Sequence, residues 1–337
     1  MNQIEIILIF LLINFYFIFN FDKIRIFNFV VDKPDKLRKF HKKPTALAGG
    51  MILIINIIIY YLILSTNKNL VINEIFFSNI FQLNFFFLVC ILIFLLGFID
   101  DKYNLNPILK FISLSIIIGC LISFDPSIKI KSLDFSFLNL NFGIGKYSFI
   151  FTLFCFLVFL NAFNMFDGIN LQASSYSLII FIYFFLIVKF SLLLLILIIF
   201  VISFKYLNYS NKSFLGDNGS LLVSFIISYI FIKLFNENFI SYSDQILIIM
   251  IIPGIDMIRL FFERIKNKKN PLSFDRMHLH HLLIKKFSHS KAILIINGLI
   301  LTPIMMDYLQ INRLFIIILA IFFYGFVLFN LKKFKKS

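Results

Sequence analysis

The feature that most limits the fold of this chain is a succession of long apolar runs that carry few charges. About eleven runs approach the ~20 apolar residues that an α-helix needs to cross a bilayer. They lie at 5–21, 46–64, 81–99, 107–124, 148–163, 172–188, 190–205, 219–235, 244–262, 292–309 and 314–331. Charged types make up 15% of the 337 residues, against about 25% in a typical soluble domain. The sequence therefore predicts an all-α polytopic membrane protein.

Positive charge is concentrated in alternate loops, which predicts the orientation of the chain. Lys and Arg are abundant in the loops 22–45 and 263–291 and in the C-terminal tail. Such loops remain in the cytoplasm, and all three fall on one side if the chain starts outside and crosses eleven times. We therefore predict an outside N-terminus and a cytoplasmic C-terminus. We expect the net charge of +15 to meet anionic lipid headgroups at the membrane rather than nucleic acid.

One predicted extracytoplasmic loop has the pattern of a strand pair. Between Ile128 and Ile144 apolar and polar residues alternate, and glycines lie near the end of the segment. A period of two is typical of a strand with one face on an apolar surface. We expect a small extracytoplasmic β-hairpin at the membrane surface.

Acidic and amide residues gather at the predicted cytoplasmic ends of the spans. They are Asp100 and Asp101 after the third span, Asn164, Asp167 and Asn170 after the fifth, Asp217 before the eighth, and Asp256 in the ninth. Any one of them could be a helix cap. Several carboxylates beside a membrane are unfavourable unless a cation binds there. Hard oxygen ligands predict Mg²⁺ or Mn²⁺ rather than Zn²⁺.

Cationic residues on the same predicted side are candidate anion-binding groups. They are Arg38 and His41 in the first loop, Lys110 in the fourth span, and Arg264, His278, His280 and His281 in the last large loop. Each basic run alone is typical of a topology signal or a lipid contact. Carboxylates, amides and cations together favour a pyrophosphate held through Mg²⁺, because phosphoryl transfer depends mainly on positioning and charge neutralisation.

Four short motifs follow one another between Asp32 and His281. They are Asp-x-Pro…Arg-Lys-x-His-x-x-Pro…Gly-Gly in the first loop, Gly97-Phe-Ile-Asp100-Asp101, the Asn-x-x-Asn-x-x-Asp-Gly segment from Asn161 to Asn170, and Gly216-Asp217-Asn218-Gly219-Ser220. In this order they resemble the polyprenyl-phosphate N-acetylhexosamine-1-phosphate transferases of glycosyltransferase family 4. The ending Asp275-Arg276-Met-His278-Leu-His280-His281 is similar to that of the bacterial undecaprenyl-phosphate GlcNAc-1-phosphate transferases, which start surface polysaccharides.

The resemblance implies an activity and a location. A polyprenyl phosphate would attack a UDP-N-acetylhexosamine, UDP-GlcNAc first among them, and release UMP. Residues 1–337 would form a single integral-membrane transferase domain in the bacterial inner (cytoplasmic) membrane, with a homodimer as its expected assembly. The cytoplasmic loops 22–45, 100–106, 161–171, 206–218 and 263–291 would form the active face.

The resemblance also implies a role for each candidate residue. Asp217 and Asn164 would hold Mg²⁺, and the catalytic pair Asp100 and Asp101 would orient or deprotonate the lipid phosphate. The substrate-binding residues would be Asp167 and Asn170 for the uridine and sugar, Lys110, Arg264, His278, His280 and His281 for phosphates, and Arg38 and His41 in the first loop.

Two alternatives stay open at this stage, and one departure bears on the sugar. The peptidoglycan-precursor transferase is a relative, but its branch carries three consecutive histidines followed by Phe. A transporter would place ionisable groups near the bilayer midplane, whereas most charges here flank the spans. Much of the bacterial family reads Asp-Gly-x-Asp-Gly-Leu-Ala, while this chain has Asn170 for the second acid and has lost a glycine before Gln172.

Overall fold

The chain folds into a bundle of long helices. A computed structural model describes residues 3–34, 43–66, 74–138, 140–269 and 277–333. The helices in these ranges are α1 (Gln3–Asn20), α2 (Gly49–Thr66), α3 (Ile80–Tyr103), α4 (Pro107–Phe124), α5 (Ser148–Phe166), α6 (Gln172–Val188), α7 (Leu192–Tyr209), α8 (Gly216–Asn236), α9 (Ser243–Lys266), α10 (Leu279–Lys286), α11 (His289–Tyr308) and α12 (Arg313–Lys333).

The helices confirm the predicted fold class. Ten of them are long and apolar enough to cross a membrane, and α6 is a further apolar helix of 17 residues. Each of the eleven predicted runs is thus helical, and the short α10 lies between the ninth and tenth runs. The protein is an all-α polytopic membrane protein. The side of the membrane on which each terminus lies stays a prediction.

The turn between α3 and α4 is fixed by local signals. Asn104 ends α3 in the left-handed conformation at φ 51°, which Asn tolerates better than most residues. Asn106 caps α4 by accepting from the backbone N–H of Ile108 at 2.9 Å, and Pro107 occupies the first helical position, where its missing N–H does no harm. The short turn keeps the end of α3 close to the start of α4.

Helix α8 is the centre of the bundle. Within its membrane window 94% of the residues are buried, against 22% in α1 and in α12. It packs against α2, α3 and α5. The hydroxyl of Ser228 donates to the carbonyl of Ser224, so this buried polar group is satisfied within the helix. The first turn of α8 is therefore held by several neighbours.

Gly97 allows α3 to approach the start of α8. A Cβ added at this position would lie 2.6 Å from Cα of Asn218. A larger residue would push the two helices apart. The close approach brings Asp101, one helical turn further along α3, against the first turn of α8.

The described residues also form five short strands. They are β1 (Val31–Asp32), β2 (Thr45–Leu47), β3 (Ser132–Phe135), β4 (Leu140–Gly143) and β5 (Ser213–Phe214). The antiparallel pair β3–β4 is the predicted hairpin. It contacts the start of α9, where Asp244 accepts from the backbone N–H of Ser136 at 3.2 Å.

A second sheet was not predicted. Strand β2 pairs antiparallel with β1 and parallel with β5, with Ala46 opposite Ser213. This sheet attaches the segment before α2 to the connection between α7 and α8. It lies at the end of the bundle where α3 and α5 end and α8 begins, which we call the site end.

Candidate functional site

A cavity of about 820 Å³ opens at the site end. Its volume is in the range of small-molecule sites, roughly 300–1,000 Å³. The predicted site residues on its walls are Asp101, Asn164, Asp167, Asn170, Asp217 and His281. Within the described chain, the cavity-lining residues do not include Asp100, Lys110, Arg264, His278 or His280. Arg38 and His41 lie outside the described residues.

Asp217, in the first turn of α8, is the residue on which the other polar groups converge. Lys110 Nζ lies 2.8 Å from its Oδ2 and 2.6 Å from Oδ2 of Asp100. Asn164 Nδ2 donates to Oδ1 of Asp217 at 2.7 Å and to Ser220 Oγ at 2.8 Å. The predicted metal-binding pair is therefore in direct contact, and a lysine ammonium already bridges two of the carboxylates.

Asp101 caps α8 from a different helix. Its Oδ1 accepts from the backbone N–H of Asp217 at 2.8 Å, and its Oδ2 accepts from that of Asn218 at 2.9 Å. A carboxylate at a helix N-terminus satisfies unpaired N–H groups and meets the positive end of the helix dipole. Asp101 thus holds Asp217 in place while it also lines the cavity.

Asp100 has different partners from Asp101. It is 8% exposed, and its Oδ1 accepts from the backbone N–H of Leu105 at 2.8 Å, which closes the turn after α3. Its other oxygen pairs with Lys110. The structure therefore places Asp100 behind Lys110 and Asp101 on the cavity wall, although the sequence predicted one role for both.

Asp167, just after α5, brings a fourth carboxylate to this region. Burial, with the charges of Asp217 and Asp101, raises the pKa of Asp167 to about 7. We call Asp100, Asp101, Asp167 and Asp217 the acidic cluster. Its negative charge is incompletely neutralised by the described residues, so a proton is retained near neutrality unless a cation binds.

Asn170 belongs to a set of three amides that line the cavity, together with Asn208 and Asn211. Its Nδ2 donates to Oδ1 of Asn211 at 2.6 Å and to the carbonyl of Asn208 at 3.1 Å. Asn208 in turn donates from Nδ2 to the carbonyl of Ser213 at 2.8 Å. These bonds link the loop after α5 to the connection before α8, and they present uncharged donors and acceptors to the cavity.

The three histidines occupy different positions. His281 lines the cavity. His280 is buried against Gly168, where an added Cβ would overlap its ring, and burial together with the neighbouring histidines lowers its pKa well below the usual value. His278 Nδ1 lies 2.9 Å from Oδ2 of Asp256. Of the three histidines, His281 is part of the cavity wall, whereas His278 and His280 lie behind that wall.

Comparison with known proteins identifies the domain that contains this site. Residues 83–235 match the family model described as glycosyl transferase family 4. The chain carries a glycosyl transferase family 4 domain. The family 4 match runs from α3 into α8, so it includes the acidic cluster, Asn164 and Asn170. The resemblance that the motifs indicated is confirmed.

Curated relatives of the family 4 domain share one name. The undecaprenyl-phosphate alpha-N-acetylglucosaminyl 1-phosphate transferase of Yersinia pestis is 26% identical over 97% of this chain and 90% of that protein. The protein of the same name from Escherichia coli K12 is 26% identical over 62% of this chain and 61% of its own length. The protein of the same name from Thermotoga maritima is 26% identical over 79% of this chain and 77% of its own length. These names do not favour the peptidoglycan alternative.

The donors of the family 4 site suit a hard divalent cation. Mg²⁺ commonly takes one or two protein carboxylates and completes its shell with water and substrate phosphates. The side chain of Asp217 is 34% exposed, and it lies beside an amide. Among the described residues no three His, Cys, Asp or Glu side chains are arranged to hold a metal. Asp217 and Asn164 could therefore hold a metal that is shared with a phosphate ligand.

Leu171 occupies the position at which this chain has lost a glycine relative to the motif that much of the bacterial family carries. Its φ is +68°, in the left-handed region that favours glycine. Its backbone N–H donates to Oδ1 of Asn208 at 2.6 Å. A non-glycine residue in this conformation is disfavoured by roughly 1–2 kcal/mol, so the bond to Asn208 helps to hold the strained turn.

The sequence did not single out several residues of the family 4 site. Asn208 and Asn211 follow the apolar run of α7, and Ser220 lies inside a motif that was assigned only through Asp217. Amides at the end of an otherwise apolar span are the signal that could have indicated the first two. Arg264 is buried at 4% exposure. Its phosphate contact stays a prediction.

Proposed function

We propose that this protein transfers GlcNAc-1-phosphate from UDP-GlcNAc to undecaprenyl phosphate and releases UMP, as the first step of a cell-surface polysaccharide. The observation that carries the proposal is the contact of Asp217 with Asn164 and Lys110 at one cavity wall. The shared name of the relatives supports the lipid acceptor and the GlcNAc-1-phosphate group that is transferred, and the UDP donor follows from the family resemblance. The proposal includes a bacterial inner membrane, a cavity that faces the cytoplasm, and the homodimer that the family implies.

Asp217 and Asn164 would hold Mg²⁺, with the Asn164 amide turned to present its oxygen. The bound ion would neutralise charge on the pyrophosphate. Lys110 would then pair with Asp100 and a phosphate oxygen instead of with Asp217. Asp101 would keep Asp217 in position, because it holds the first turn of α8 through two backbone bonds.

The transfer itself would be a direct displacement. An oxygen of the lipid phosphate would form a bond to the β-phosphorus, and the bond from that phosphorus to the bridging oxygen would break, so UMP leaves with this oxygen. The second pKa of a phosphate monoester is near 6, so the attacking group is largely dianionic at neutral pH. Asp100 and Asp101 would therefore serve mainly to orient groups.

The nucleotide would lie along the amide side of the cavity. Asn170 and Asp167 line this wall, and an amide can form complementary bonds with the edge of uracil. His281, which also lines the cavity, would approach the phosphates. Arg38 and His41, outside the described residues, keep their predicted substrate-binding roles.

One assay tests the whole proposal. Purified protein in detergent is mixed with undecaprenyl phosphate and one of three donors: UDP-GlcNAc, UDP-GalNAc or UDP-MurNAc-pentapeptide. UMP and the lipid product are measured with Mg²⁺, with Mn²⁺ and with a chelator. We expect lipid-dependent and metal-dependent UMP release that is greatest with UDP-GlcNAc. Release from UDP-MurNAc-pentapeptide alone would refute the proposed donor, and release that persists in the chelator would refute the metal.

A further inference from the structure

The hydroxyl of Tyr324 is buried on a helix that is otherwise peripheral. Tyr324 is 3% exposed, although α12 is among the least buried helices. A buried tyrosine hydroxyl normally finds a hydrogen-bond partner. This one donates to Oδ1 of Asp256 at 2.6 Å and accepts from Nε of Arg259 at 2.9 Å. The last helix is thereby bonded to the polar part of α9.

Asp256 extends this connection to the histidine turn, residues 278–281. Its Oδ2 faces His278 Nδ1 at 2.9 Å, and its Oδ1 accepts from the backbone N–H of Leu279 at 3.2 Å. One carboxylate therefore fixes both a ring and the first turn of α10. Because a carboxylate can only accept, the proton lies on Nδ1 and the other ring nitrogen is available for a further contact.

Arg259 holds the carboxylate and the chain that leads into the turn. Its Nη2 donates to Oδ1 of Asp256 at 2.8 Å and to the carbonyl of Met277 at 2.7 Å. Its Nη1 donates to Glu263 at 3.0 Å. The planar guanidinium makes these bonds together, which a lysine cannot do. We call Asp256, Arg259, Glu263, His278 and Tyr324 the brace.

The histidine turn contacts the cavity wall. The ring of His278 is stacked on that of His280, with centroids 5.3 Å apart. His280 lies against Gly168, next to Asp167. His281 lines the cavity itself. A displacement of Asp256 would therefore be transmitted to a wall of the cavity.

We propose that Tyr324 and Arg259 are positioning residues that hold the histidine turn for nucleotide binding, and that they act through Asp256. The inference rests on the proposed function, in which this turn meets the phosphates of the UDP-sugar. Neither residue is among the cavity-lining residues of the described chain. Their effect on the substrate is therefore indirect.

Tyr324→Phe tests the proposal because it removes only the hydroxyl. We expect the KM for UDP-GlcNAc to rise about tenfold, as for a lost hydrogen bond to a charged acceptor. The kcat and the KM for undecaprenyl phosphate should change less than twofold. A merely structural role would lower the amount of active protein, and hence the apparent kcat, without moving the KM.

A matched control removes a buried hydroxyl elsewhere. Tyr229 is fully buried, and its hydroxyl donates to the carbonyl of Phe76 at 3.4 Å, far along α8 from the site end. Tyr229→Phe should leave the KM for UDP-GlcNAc unchanged. An equal rise in both variants would overturn the proposal, because the effect would then be a general response to loss of a buried hydroxyl.

A double mutant tests the route through the turn. If Tyr324 acts through Asp256 and His278, the KM of Tyr324→Phe combined with His278→Asn should equal that of His278→Asn within about twofold. If the KM increase of the double variant equals the product of the two single increases, the result would contradict this route.

Hydrogen exchange gives a measurement that does not depend on activity. In Tyr324→Phe the amides at the start of α10, Leu279 above all, should exchange faster than in the wild type, while α8 keeps its protection. If the wild type releases no UMP from any donor, the proposed function fails and this measurement still decides on the brace. Unchanged exchange together with an unchanged KM would overturn the inference.

Discussion

Two groups of buried charge lie at the site end, and they differ in charge balance. In the acidic cluster, Lys110 is the one cation of the described chain that forms ion pairs with these carboxylates, and it pairs with only two of the four, Asp100 and Asp217. In the brace, two carboxylates meet three basic partners. These are Arg259 and His278 at Asp256, and Arg259 and Lys332 at Glu263.

This difference in charge balance indicates that the acidic cluster is a binding site and that the brace is a structural support. Breaking a buried charge group that is fully partnered exposes uncompensated charge, so such a group mainly holds its elements in place. A group with excess negative charge is unfavourable by itself, and a bound cation relieves it. Substitutions in the acidic cluster should therefore change activity more than stability, and substitutions in the brace should change the position of the turn and stability.

The largest expected effect is that of Asp217→Asn. The substitution keeps the shape of the side chain but removes the charge that would hold the metal, so UMP release should fall about 100-fold or more. The melting temperature in detergent should fall only slightly, because loss of the Lys110 ion pair is offset by relief of repulsion from the neighbouring carboxylates. Both quantities can be measured on the same purified sample.

Asp22→Asn is the matched control for this change. Asp22 is an exposed carboxylate at the site end that pairs with Lys212 at 2.8 Å. Its substitution should leave UMP release within twofold of the wild type. Wild-type turnover in Asp217→Asn would remove Asp217 from the metal site.

Asp256→Asn should lower stability more than Asp217→Asn does. It leaves Arg259 and His278 without their shared carboxylate, and breaking a buried pair destabilises a protein by about 3–5 kcal/mol. The melting temperature should fall by roughly 5 °C or more, whereas Asp217→Asn should lower it much less. A brace variant as stable as the wild type would abolish the distinction between the two groups.

Asp167→Asn should reveal the electrostatic strain of the acidic cluster as a function of pH. The pKa of Asp167 is raised to about 7, so between about pH 4 and 7 the native state binds more protons than the unfolded state and loses stability as the pH rises. In chelator at pH 8 the variant should melt roughly 2–4 °C above the wild type. The gap should close as the pH approaches 4, and a gap independent of pH would argue against this origin.

The smallest effect is expected at Lys332, an exposed residue that contacts the brace through Glu263. Lys332 pairs with Glu263 at 2.6 Å, but its side chain is 45% exposed, and exposed pairs contribute at most about 1 kcal/mol. Lys332→Met should change the melting temperature by less than about 2 °C and leave the KM for UDP-GlcNAc unchanged. A loss as large as that of Asp256→Asn would show that the brace extends to the surface.

The long helices could be predicted from sequence because bilayer thickness and backbone hydrogen bonding act on each run separately. The motifs also indicated that Asp217 and Asn164 belong together. The capping of α8 by Asp101 could not be predicted, since it joins residues 116 apart and leaves no periodic signal. The three-stranded sheet was missed because strands of two or three residues are too short to show a period.

The brace was missed for a different reason. Tyr324 lies in a run of aromatic and aliphatic residues and resembles its neighbours until the packing of α12 against α9 is known. A weak signal was present in α9, where Asp256 and Arg259 are three residues apart inside an apolar span. Charges at that spacing share a helix face, and inside a membrane segment they indicate a function or a partner.

The parallel pairing of β2 with β5 has a consequence for biosynthesis. Ala46 emerges from the ribosome long before its partner Ser213, on the order of ten seconds earlier at about 5–20 residues per second. Until α8 is inserted, Asp101 has no helix to cap and the first segment has no strand beside it. A nascent chain that stops before α8 therefore leaves the carboxylate of Asp101 without the two backbone N–H groups that it accepts from in the finished fold.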